Sequence, residues 1–146
     1  MTREEFAKRF LDGIGAPSSD RNLEAMLAWM QAEYGVAYTG PQAKNNPLNT
    51  TKAANGATDF NSVHVKNYVS PEQGIQASID TLLSGARMSG DPYHYGPILN
   101  ALRRNFRPRR TLRRVEKSAW GTGGLAKKVL RDVKREYHVY ADDPVR

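Results

Sequence analysis

The chain contains no cysteine. That excludes disulfides, thiol nucleophiles and thiolate metal sites, and it fits synthesis in a reducing compartment. Histidine is scarce as well. His64, His94 and His138 lie far apart without H-E-x-x-H spacing, so zinc peptidase or amidase chemistry has no motif, and no metal or other cofactor is expected. No stretch approaches the roughly 18 apolar residues of a membrane span, so membrane insertion is not expected. The opening Met1-Thr2-Arg3-Glu4-Glu5 lacks the apolar core of a secretory signal. Acids are outnumbered, 15 against 22 lysines and arginines, for a net charge of +7. Such a balance attracts polyanions: nucleic acid, anionic membrane and bacterial cell wall all qualify, and charge alone does not choose among them.

Internal repeats, low-complexity segments and linkers are absent too. A length of 146 residues therefore reads as one domain, 1–146, of a size that buries about 68–70% of its unfolded surface.

Helical signals dominate. Phe6, Phe10 and Leu11 recur at helical spacing over residues 3–11, with two acids in the first turn, and Asp12 to Pro17 breaks the pattern. Ser18-Ser19-Asp20 offers N-caps for a second helix striped by Leu23, Met26, Leu27 and Met30. Glu33 falls near that apolar stripe, and Gly35 ends the helix just beyond it. An acid leaning inward at a helix C-terminus is badly placed for stability. The negative end of the dipole and desolvation both disfavour its charge, and both raise its pKa, as a general acid at neutral pH requires. The alternative for Glu33 is an outward, solvated or lysine-paired carboxylate.

Gly40 to Leu48 is a Pro- and Asn-rich loop. Thr50-Thr51, Ala57–Asn61 and Val63–Tyr68 read as short strands, with Asn55-Gly56 as a tight turn. Ser70-Pro71-Glu72-Gln73 opens the next helix with a capping box, and Ile75, Ile79, Leu82 and Leu83 bury its face. Asp91-Pro92 starts a helix facing Ile98, Leu99 and Leu102 inward. Ser118 to Gly124 is a glycine-rich turn around Trp120, a last helix runs from about Leu125 to Tyr137, and the tail after Tyr140 reads as frayed. Trp29 and Trp120 read as core residues and not sugar platforms.

Several motifs recur in a fixed order: W-M-Q-A-E at Trp29–Glu33, N-N-P-L-N-T-T at Asn45–Thr51, G-A-T-D-F-N-S at Gly56–Ser62, then V-K-N-Y-x-S-x-x-x-G-I from Val65 and S-A-W-G-T-G from Ser118. Together, over roughly residues 20–125, they resemble phage-type peptidoglycan hydrolases of the lysozyme-like superfamily. The likeness is greatest to endolysins and tail lysins of phages that infect actinobacteria. Flagellar-type glucosaminidases share the looser scheme of a helix-ending Glu, an N-P/N-N loop and a hairpin tyrosine.

The resemblance implies an α+β, mostly α, domain with a small antiparallel hairpin sheet beside a sugar-binding cleft. It implies Glu33 as proton donor to the glycosidic oxygen, with Tyr68 nearby. Asn46, Asn49, Thr50 and Asn61 would meet sugar hydroxyls or N-acetyl groups. Asp59 lies where some superfamily members carry a second acid, and it also reads as a turn or strand-edge residue. Two carboxylates roughly 6.5–9.5 Å apart would suit inversion, and about 5–5.5 Å retention. Glu33 alone could act first as acid and then as base, giving the anhydro product of a lytic transglycosylase. Bacterial peptidoglycan is the implied partner, with anionic wall polymers beside it, for a monomer or a part of a larger phage protein. The implied location is the cytoplasm of the infected host or the virion, with action on the wall.

Other groupings carry less. Ser62, His64 and Asp59 hold the residue types of a hydrolytic triad, but strand alternation does not aim them at one another. Gly121, Gly123 and Gly124 lack a P-loop lysine-serine pattern. The seven arginines between Arg103 and Arg114 could track phosphates, with Tyr93, Tyr95 and Phe106 for stacking, or form a solvated basic face. They support the alternative of a non-catalytic phage structural module binding wall or nucleic acid.

Overall fold

A computed structural model describes residues 1–35, 40–87 and 94–146. Seven helices and one two-stranded sheet follow in the order α1 (Arg3–Gly13), α2 (Asp20–Tyr34), β1 (Thr58–Asp59), β2 (Lys66–Asn67), α3 (Pro71–Ala86), α4 (Gly96–Arg103), α5 (Pro108–Lys117), α6 (Gly123–Arg135) and α7 (Tyr137–Ala141). The chain is thus mostly helical, with a small antiparallel sheet.

The second helix is the axis of the fold, packed against α1, α5, α6 and α7. Its sequence is apolar on nearly every face, and Met26, Leu27, Ala28 and Met30 are fully buried. Each large side chain among them contributes about 1.5–3 kcal/mol on leaving water. Ser19 caps the start by accepting from the Asn22 amide. The buried Asn22 side chain donates to the carbonyls of Pro17 and Leu102, fastening two loops to the helix. At the other end Gly35, at φ 86°, turns the chain out of the helix.

The first helix has a cap the sequence reading passed over. Thr2 accepts from the Glu5 amide while Glu5 accepts from the Thr2 amide, a complete capping box. Ser70 caps α3 through the Gln73 amide, but the Gln73 side chain accepts from Val69, one residue further out than a capping box requires.

The sheet is shorter than the periodicity predicts. Thr58 pairs with Asn67 and Asp59 with Lys66. Thr50-Thr51 forms no strand, although the Thr50 carbonyl accepts from the Lys66 amide at 3.1 Å. The paired residues are polar, exposed in β1 and half-buried in β2, so their pairing buries little apolar surface and the ladder stops after two residues. Asn55-Gly56 is a turn, closed by Ala57 N–H on the Ala54 carbonyl, but it precedes the hairpin instead of linking its strands.

Two helix expectations shift. The start predicted at Asp91-Pro92 lies outside the described residues, as does Tyr93; the described helix begins at Gly96. The last predicted helix is α6, two residues earlier at each end, and the short α7 follows it after Glu136. The tail is not frayed. Val145 N–H donates to the Met1 carbonyl, Arg3 N–H to the Asp143 carbonyl, and the Arg3 guanidinium meets Asp143 at 2.9 Å. Burial of Ala141 and Val145, together with the need of buried Arg3 for a counter-charge, holds it down.

Candidate active site

Glu33 sits on the last turn of α2, where the helix leaves the core. The apolar stripe places it inward, and three donors from three parts of the chain converge on its carboxylate. Thr122 Oγ1 donates to Oε1 at 2.7 Å, Trp29 Nε1 to Oε1 at 3.3 Å, and Asn49 Nδ2 to Oε2 at 3.1 Å. The Asn49 amide also donates to the Glu33 main-chain carbonyl at 3.0 Å, covering an orphan carbonyl of the helix end. Asn49 can turn back this way because its backbone is left-handed, at φ 53°, a region asparagine tolerates.

Burial pushes the Glu33 carboxyl up, from 4.5 to about 7. The hydrogen bonds from Thr122, Asn49 and Trp29 pull the other way, and desolvation wins. A carboxyl raised this far retains its proton well above the pH at which an exposed glutamate has lost it. Trp29 and Thr122 both direct hydrogens at Oε1, so its lone pairs are occupied. Oε2 receives one donor and retains a free lone pair, which makes it the oxygen that carries and delivers the proton.

Two cavities open on this carboxyl. One, of about 300 Å³, includes Gly35, Pro41, Gln42, Asn49 and Phe60 in its lining with Glu33. The other, of about 230 Å³, is lined by Glu33, Asn49, Thr50, Thr81, Tyr95 and Trp120 among others. Glu33 and Asn49 belong to both, so the acid stands between two chambers. Among the described residues Glu33 is the single carboxyl lining either.

The wall opposite α2 comes from the turn after α5. Trp120 packs edge-on against Trp29 with ring centroids 4.8 Å apart, and its Nε1 donates to the Leu48 carbonyl. Tyr95 lies against Trp120, also at 4.8 Å. Thr122 is brought to Glu33 by Gly123, where a Cβ would stand 2.0 Å from the Leu112 carbonyl oxygen and 2.2 Å from the Glu116 nitrogen. Only glycine lets α6 begin that close to α5.

No protein-family model, curated protein or solved structure matches this chain. The site is therefore described by its own geometry. Of the residues expected around Glu33, Asn49 touches it and Thr50 lines the same cavity. Asn46, expected in the cleft, is instead fully buried with both amide hydrogens on the Thr50 and Lys66 carbonyls and its oxygen taken by Thr50. It has no capacity left for a sugar and acts by fixing the loop. Tyr68, expected beside the acid, spends its hydroxyl on Thr50 Oγ1 and the Lys52 carbonyl, and Tyr95 lines the acid's cavity in its place. Asn61 accepts from the Val65 amide at the hairpin turn.

Asp59 is half-exposed on β1, bonded to His64 at 2.9 Å and to Lys66. Those bonds hold its carboxyl below the usual range. The residue lines neither chamber. Trp120 is a cavity wall as well as a packing residue, while Trp29 is core.

Sequence reasoning missed Trp29, Thr122 and Tyr95 as neighbours of Glu33. Trp29 carried a signal, since i and i+4 on a helix share a face. Thr122, 89 residues away, carried none.

Proposed function

We propose that this protein cleaves the glycan of bacterial peptidoglycan, with Glu33 donating its Oε2 proton to the glycosidic oxygen. One observation carries the reading: a desolvated carboxyl, oriented by three donors, between two chambers. Sugar on either side of the scissile bond would occupy one chamber each. A pKa near the working pH lets the same group give a proton and then take one back. With no second carboxyl lining the chambers among the described residues, the simplest course runs through Glu33 alone. It donates to the leaving oxygen as that bond breaks, then accepts a proton from the incoming nucleophile. That nucleophile is water for hydrolysis, or a hydroxyl of the substrate for an anhydro product.

The ordered motifs that resemble lysozyme-like phage lysins support the substrate class. The test is product mass spectrometry on purified wall, comparing wild type with Glu33→Gln. Saccharide fragments from wild type and none from the variant are expected; equal release from both would sink the assignment.

A second reading rests on a separate surface. A concavity of about 450 Å³ is lined entirely by cations: Arg107, Arg109, Arg110, Arg113, Arg114 and Lys117. None has an ion pair among the described residues, and the first turn of α5 holds no acid to balance them. Such a face fits a polyanion. Phe106, the aromatic beside it, lies under the Arg110 guanidinium at 3.9 Å, so base stacking has no open platform there. Retention of the Glu33→Gln protein on purified wall, lost with salt, is the expected result for a wall-binding role. A DNA mobility shift persisting at physiological salt would favour nucleic acid instead.

A further inference from the structure

Helix α5 divides into two sides. Pro108, Thr111, Leu112 and Val115 are buried against the core, and every other position except Glu116 is basic. Arg109, Arg113 and Lys117 recur every four residues along one row, and Arg110 and Arg114 form the next. Residues three or four apart on a helix stand about 5–6 Å from each other, so the two rows run side by side at that spacing. Arg114 is half-buried and the other four are exposed. None of the five has an ion pair among the described residues. Glu116, the single acid of α5, is already taken by Lys127 of α6 at 2.6 Å and does not neutralise the rows. Arg109 also lines a second concavity, of about 530 Å³, with Lys128, which carries the basic surface from α5 onto α6.

Charge of this density attracts a polyanion, and the geometry narrows which. A duplex holds its backbones about 12 Å apart across the major groove, twice the spacing of the rows, so the rows bracket one chain and not two. A single strand of nucleic acid gains much of its affinity by stacking bases on aromatic rings. The aromatic beside the rows, Phe106, is covered by Arg110 at 3.9 Å and by Arg104 at 5.4 Å. A membrane finds no apolar foothold here either. Among the described residues the exposed large hydrophobics are Val63, Val69 and Val139, none of them on α5 or α6.

We infer that α5 is a docking track for a single, base-free phosphodiester chain, the anionic polyol-phosphate polymer of a bacterial wall. Forked guanidiniums grip phosphate oxygens in pairs, and a thin polyol chain fits between rows that bases would crowd. The inference rests on the glycan-cleaving reading for the place where the polymer is met, and it deepens the reading of the basic face by naming the occupant.

The test uses the Glu33→Gln protein, so that binding is read without turnover. Soluble poly(glycerol phosphate) is titrated over a range of salt, beside single-stranded and duplex DNA of equal phosphate number. Two double variants are made in that background: Arg113→Gln with Arg114→Gln on the track, and Lys8→Gln with Arg9→Gln on α1, which packs on α2, α3 and α7. Both remove the same charge, and glutamine keeps the helix propensity. The polymer is expected to bind more tightly than either DNA. The α5 pair is expected to lower the slope of log K against log salt by about 1.4, two phosphate contacts at about 0.7 each, and to weaken binding about tenfold near physiological salt. The α1 pair is expected to leave both unchanged.

Equal losses from the two pairs, no loss from either, or DNA bound as tightly as the polymer would each overturn the inference. So would equal retention on purified wall and on the same wall stripped of its phosphate polymer. These results leave the proposed activity standing, because soluble glycan without polymer reads it separately. Polymer binding through α5 by a wild-type protein that cuts no such glycan would sink the role of Glu33 and keep the track.

Discussion

Replacing Glu33 by Gln separates stability from activity in a way only a desolvated acid predicts. The rise from 4.5 to about 7 means that the native state holds its proton more tightly than the unfolded chain does. Below pH 4.5 the carboxyl is neutral in both states and contributes no difference. As pH rises the unfolded chain ionises first, and the stability that the neutral native carboxyl supplied is lost, completely so above pH 7. The full loss is about 3 kcal/mol.

Glutamine is neutral at every pH and escapes it. It keeps an oxygen for Thr122 and Trp29, but turns an N–H₂ toward the Asn49 amide, a mismatch of about 1 kcal/mol. The net gain at pH 8.5 is therefore about 2 kcal/mol, and near pH 4.5 the variant is equal to wild type or slightly weaker. At about 2.1 cal/mol/K of unfolding entropy per residue over 146 residues, 2 kcal/mol raises the melting temperature by about 6 °C. Differential scanning calorimetry at both pH values measures it, beside wall-clearing assays in which the variant is inert. A stability difference that does not grow from pH 4.5 to 8.5 would refute the desolvated carboxyl, and with it the acid mechanism.

Thr122→Val removes the shortest bond to Glu33 Oε1, so the carboxyl rises further; the alkaline limb of the pH–rate profile is expected to move up while kcat falls about tenfold, and Thr122→Ser to restore both. Asp59→Asn breaks a half-exposed pairing with Lys66 and His64, and activity on wall is expected within about threefold of wild type, with stability changed by less than about 0.5 kcal/mol. A loss above a hundredfold would instead make Asp59 a second catalytic acid. Gly123→Ala drives a methyl into the Leu112 carbonyl and is expected to cost about 2–4 kcal/mol in denaturant unfolding, with weaker wall clearing as Thr122 is displaced.

The helices were legible because their signals are local. The Met26-Leu27-Met30 stripe, the Ser19 and Ser70 caps and the Gly35 stop each lie within a turn or two of what they specify. Glu33 was legible for the same reason, since its inward lean follows from three residues of spacing after Met30. The surroundings of Glu33 were not, because contacts with Thr122, Tyr95 and Trp120 depend on how α5 and α6 return to α2, and no local pattern encodes that crossing. Asn46 shows a different limit. An asparagine that reads a sugar and one that braces a loop have the same letter, and only the count of its satisfied hydrogens tells them apart. The tail misled because two apolar residues, Ala141 and Val145, are too few for a periodic signal yet enough to anchor it.

The bond from Thr122 to Glu33 also has a consequence in time. While the chain emerges, Glu33 appears 89 residues before the hydroxyl that orients it, and Trp120 arrives just as late. Until residues 120–122 are made, α2 has neither the Trp120 ring nor the Thr122 hydroxyl beside it, so the enclosure of Glu33 draws on the whole span of chain from α2 to the turn between α5 and α6.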